Sequence, residues 1–74
     1  MVFKKEQNYK KTLLDLIEQL KKIEDLYNNG NYIECRNLID LCVITLDNLD
    51  VSDDNTKLLR KHFDMWEEKA KKEL

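Results

Sequence analysis

The sequence predicts an all-α fold, an antiparallel up-down-up three-helix bundle formed by one domain over residues 1–74. Three observations lead there. Apolar residues recur at three- and four-residue intervals in three segments, proline is absent, and the single glycine falls at a break between two of those segments. Helix-period spacing without helix breakers specifies helices, and short breaks between them specify antiparallel neighbours.

The first helix is expected over about residues 4–28. Tyr9, Leu13, Leu16, Leu20, Ile23 and Tyr27 are spaced 4, 3, 4, 3, 4, with Leu14, Ile17 and Leu26 widening the seam. Lysine, glutamate, glutamine and aspartate fill the remaining face, as a solvated surface requires. The helix ends at Asn29-Gly30, where a glycine takes the left-handed conformation without a Cβ clash. Asn31 is then placed to cap the second helix by accepting from a free backbone N–H.

The second helix, about 31–49, repeats Tyr32, Cys35, Ile39, Cys42, Leu46 and Leu49 at intervals of 3, 4, 3, 4, 3. It carries a further apolar set, Leu38, Leu41, Val43 and Ile44. A helix apolar over most of its circumference is usually buried between neighbours, so this one is expected to be central. In the break "LDVSDDNTK", Ser52, Asp53 and Asp54 are all good N-cap types, and the pattern leaves open which of them caps. The third helix, about 54–73, runs on Leu59, Phe63, Trp66 and Ala70, with Leu58, His62 and Met65 on an adjoining stripe. Lys69, Lys71 and Lys72 fall where cations complement the helix dipole.

Composition narrows the function classes. Charged residues make up 38% of the chain with a net charge of −2, a balance that argues against a nucleic-acid partner, since phosphate binding needs a basic patch. No apolar run approaches ~18 residues and the start "MVFKKEQ" has no apolar h-region, so neither membrane insertion nor a signal peptide is expected. Cys35 and Cys42 lie seven residues apart on one helix, ~10 Å between Cα atoms, too far for a disulfide. They read as small apolar packers in a reducing, cytoplasmic setting. With one distant histidine they do not make a structural zinc site. No metal or cofactor is expected.

No catalytic constellation is visible, and the chain is expected not to be an enzyme. The acids sit at solvent spacings, and no glycine-rich phosphate loop is present. His62 is the residue with chemical potential, as a phosphoryl acceptor or base, but a place at the edge of the core is the preferred account of it. What remains is surplus apolar surface. Leu38, Leu41 and Thr45 on the second helix, with Leu58, His62 and Met65 on the third, are expected to line a shallow groove that takes an amphipathic helix from a protein partner. The plainer alternative is that helix packing covers them all.

The segment "GNYIECRNLIDLCVITL", an acidic break, and "KLLRKHFDMWEEKAKKEL" together resemble the microtubule-interacting and trafficking (MIT) domain. Gly30, Asn31 and Tyr32 match the family's second-helix opening. Cys35 and Cys42 stand where it prefers small alanines, and Leu59-Arg60 and Lys69-Ala70 resemble its third helix. Tetratricopeptide repeats share the opening phrase, but no second copy occurs here. The resemblance implies docking of C-terminal helical motifs of ESCRT-III-like proteins, normally between helices 2 and 3 and secondarily between helices 1 and 3. Two other classes are carried as alternatives: a free-standing bacterial or phage regulator or inhibitor, on the expectation that the chain, which begins with Met, is complete at 74 residues, and a self-associating bundle such as a homodimer, in which the spare apolar stripe forms the interface.

Overall fold

Three helices form, α1 (Val2–Asn28), α2 (Tyr32–Asn48) and α3 (Asp54–Glu73), in a computed structural model that describes residues 2–49 and 52–74, with side chains from residue 8 onward. Met1, Asp50 and Val51 lie outside the described residues. No strand occurs among those described. The predicted boundaries agree to within two residues, with Asn31 just before α2 and Leu49 just after it.

The turn between α1 and α2 follows from Gly30. Its φ of +81° lies in the left-handed region, which a Cβ disfavours. That conformation turns the chain so that the Asn31 N–H donates to the Leu26 carbonyl at 2.8 Å and the Gly30 N–H to the Tyr27 carbonyl at 3.1 Å. This is the Schellman pairing, which satisfies carbonyls the helix end would leave open. Asn31 does not cap with its side chain, contrary to expectation. Its backbone carbonyl instead accepts from the Cys35 N–H at 2.9 Å. Nothing lies within 4 Å of the position a Cβ would take at Gly30, so Gly30→Ala pays only the backbone cost, about 1–2 kcal/mol. Gly30→Asn should recover much of it, because asparagine tolerates that conformation. Denaturant melts of the two variants check this order.

At the start of α3 the choice among three capping residues falls on Asp53. Its carboxylate accepts from the Thr56 N–H at 2.9 Å, and the Thr56 hydroxyl accepts from the Asp53 N–H at 3.0 Å, a closed capping box. The Tyr9 hydroxyl of α1 donates to the other oxygen of the same carboxylate. One aspartate thus caps α3 and fastens it to α1. The hydrogen bond from Tyr9, and after it the one from the Thr56 backbone, holds the Asp53 carboxyl below its ordinary range, because both favour the charged form.

A carboxyl depressed in the folded state stabilises fully above its unfolded value, ~3.9. That contribution is lost as pH falls through the lower folded value. Asp53→Ala should therefore lower the thermal midpoint at pH 7 by ~4–8 °C. The gap between the variant and the parent chain should narrow as pH falls from the unfolded value through the lower folded one. Melts at pH 7 and along a series of falling acid pH measure it.

Packing sets the helix directions. Tyr9 near the start of α1 meets Asp53 at the start of α3, while Tyr27 near the end of α1 meets Trp66 of α3, ring centroids 5.5 Å apart. So α1 and α3 run the same way and α2 returns between them. The core is Leu16 and Ile23 of α1, Cys35, Ile39, Cys42 and Leu46 of α2, and Leu59, Phe63 and Ala70 of α3. Tyr32 packs edge-on against Tyr27 at 5.3 Å, and the Lys69 ammonium sits 4.7 Å over the Trp66 ring, closing the end of the bundle.

Both cysteines are free and buried, and burial raises each thiol above its ordinary value, as expected of packing groups. The Cys35 thiol donates to the Ile23 carbonyl at 3.5 Å.

Two expectations about the core need correction. Leu14 and Ile17 do not widen the buried seam; they are 64% and 46% exposed. The second helix packs on both neighbours but is not wrapped by them, since Ile33, Leu41 and Ile44 are exposed. With only two neighbours, a helix in a three-helix bundle keeps an outer face in water whatever residues it carries.

Candidate functional site

A wide concavity lies between α1 and α3, the pair with the least extensive interface among the described residues. It has a volume of about 560 Å³ and a lining of Leu13, Leu14, Ile17 and Leu20 from α1 and Leu58 and Leu59 from α3. Lys10, Asn55 and His62 complete it, and no carboxylate is among the described residues of the lining. Leu59 forms the buried floor, Leu13 and Leu20 are half-buried walls, and Leu14, Ile17 and Leu58 stand exposed on the lips. Helix periodicity explains the alignment. Residues 10, 13, 14, 17 and 20 fall along one side of α1, and residues 55, 58, 59 and 62 along one side of α3. The two parallel helices therefore present facing apolar ridges, with Lys10 on the α1 side and the His62 ring on the α3 side.

The six residues expected to share a groove between α2 and α3 are not brought together. Leu58 and His62 line the α1/α3 groove, and Met65, 43% exposed, lies one turn beyond His62 on the same stripe. Leu38 and Leu41 line a separate, shallower cleft of about 420 Å³ between α2 and α1, with Lys22, Leu26, Glu34 and Asn37. Thr45 is exposed, and its hydroxyl donates to the Leu41 carbonyl one turn back at 2.9 Å. The two sets flank α1 on opposite sides. Across α2 and α3 runs instead an ion pair between Asp47 and Arg60, both largely exposed. An exposed pair of this kind adds little stability, but it makes that seam polar.

His62 is exposed at the groove rather than tucked at the core's edge. The groove around it is lined by apolar side chains, Asn55 and Lys10, with no carboxylate among the described lining residues. Among the described residues no group of three or more His, Cys, Asp or Glu is placed to hold a metal ion, and no helix is long and apolar enough to cross a membrane.

Sequence inspection assigned Leu13, Leu14, Ile17 and Leu20 to the core and missed them as a surface. The signal was present in the doublets Leu13-Leu14 and Leu16-Ile17, which spread the apolar arc beyond what two neighbouring helices cover. No family model matches the chain, and neither the curated proteins nor the solved structures give a match.

Proposed function

We propose that this chain is a non-catalytic protein-interaction module that docks an amphipathic helix of a partner in the groove between α1 and α3. The observation that carries it is the continuous apolar lining with its lips exposed: Leu14, Ile17 and Leu58 meet water although most of the chain's other leucines are at least partly buried. A helix presenting apolar residues at i, i+3, i+4 and i+7 fills such a trough ridge-into-groove. The volume, about 560 Å³, suits a few apolar side chains inserted in a row.

The resemblance to the MIT domain supports the same class of activity. It names helical tails of ESCRT-III-like proteins as the first ligands to try and, as its second choice of site, the cleft between the first and third helices. Titrating the protein into a fluorescein-labelled tail peptide of this type, read by anisotropy, tests the proposal. Saturable binding at micromolar to sub-millimolar protein supports it. Flat anisotropy to millimolar protein, for that peptide and for a designed Leu/Glu amphipathic helix alike, removes it.

A further inference from the structure

Each copy of the chain also carries a candidate ligand for the groove. Ile33, Leu41 and Ile44 are 67%, 62% and 56% exposed and form a stripe down the outer side of α2, away from the core. The only acids between Ile33 and Ile44 are Glu34 and Asp40, both exposed, and the only cation there, Arg36, is half-buried. The α1/α3 groove has the opposite sign: the one charged residue among its described lining is Lys10.

Lengths agree as well as signs. Ile33 to Ile44 covers eleven residues, ~16 Å of helix, and the groove wall from Lys10 to Leu20 covers ten, ~15 Å. A groove-to-groove pairing would instead bring two Lys10 side chains of like charge to one interface, which costs affinity.

We infer that the outer face of α2 of one copy docks in the α1/α3 groove of a second copy. The inference rests on the groove being a helix-docking site and names its occupant in the absence of another partner. In a three-helix bundle the α1/α3 groove opens on the side opposite α2, so the contact is heterologous and leaves one free groove and one free α2 face at the ends of every assembly. Association then extends beyond a dimer as concentration rises, and an outside helix that enters the groove breaks it up.

The experiment is sedimentation velocity on the full chain from 10 µM to 1 mM, with two double variants of exposed residues. Leu41→Lys/Ile44→Lys spoils the α2 face and leaves the groove, whereas Ile17→Glu/Leu58→Glu spoils the groove and leaves α2. Circular dichroism establishes that both fold, and Leu41→Ala/Ile44→Ala replaces the lysine variant if it does not. The parent chain should grow past dimer, each variant alone should stay monomeric, and an equimolar mixture should give a dimer that grows no further. A monomeric parent chain at 1 mM overturns the inference, as does a groove variant that associates like the parent or a mixture that stays monomeric. The amphipathic peptide separates the two levels. If it binds the Leu41→Lys/Ile44→Lys variant while the parent chain stays monomeric, only the choice of occupant fails. If it does not bind that variant either, the groove itself fails as a docking site.

Discussion

Phe63→Ala is expected to cost about 3–5 kcal/mol and to lower the thermal midpoint by more than ~12 °C. Phe63 is fully buried and is the largest side chain in the core, in one cluster with buried residues of α1 and α2. Its removal leaves a cavity that rigid helices on three sides cannot collapse into. A 74-residue domain has only about 4–11 kcal/mol in total, so the loss is a large fraction of the whole. Phe63→Leu, which keeps most of the volume, should cost appreciably less. Thermal melts followed at 222 nm compare the two. A midpoint for Phe63→Ala within a few degrees of the parent chain would mean that the core is not centred where the packing places it.

Ile17→Glu together with Leu58→Glu should lower affinity for an amphipathic helix at least ~100-fold while leaving the fold intact. Both side chains are largely exposed, so the substitutions are expected to change stability by no more than ~0.5 kcal/mol each. In the complex the same residues become buried lips of the trough, and a carboxylate there is desolvated without a partner, a cost of several kcal/mol. Lys10 and His62 offer only partial compensation, because a ligand with acids of its own competes for them. Peptide anisotropy combined with a melt of the same sample reads both quantities. Equal loss of affinity and of folded structure would point to a packing role for these residues.

Much of the fold could be read from the letters because each helix carries its own boundary chemistry. Gly30 stops α1, acids and a serine precede α3, and the four- and seven-residue spacings of Leu16 and Ile23, Ile39 and Leu46, and Leu59 and Phe63 mark the buried seam. The choice of Asp53 over Ser52 and Asp54 needed coordinates, since it depends on Tyr9 arriving from a segment 44 residues away. The site was legible only in part. Periodicity places Leu38 and Leu41 to one side of the α2 seam, and Leu58, His62 and Met65 to one side of the α3 seam. It does not say which neighbour stands on that side, because three helices can be wound around one another in either hand. The hand realised here puts α1 beside both stripes, and the expected groove between α2 and α3 separates into two clefts. Leu14 and Ile17 were misplaced for a related reason: an apolar pattern shows where a helix is greasy but not where its neighbours end.

The most direct test of the docking groove is an amide-shift titration of ¹⁵N-labelled protein with an unlabelled acidic amphipathic peptide, kept at a protein concentration where the chain is monomeric. Shifts should be concentrated at Leu14, Ile17, Leu58 and His62, with little change at Arg36, Asp47 and Arg60 across the α2/α3 seam. A spectrum unmoved at millimolar peptide, or shifts centred on Asp47 and Arg60 instead, would contradict the assignment of the α1/α3 groove.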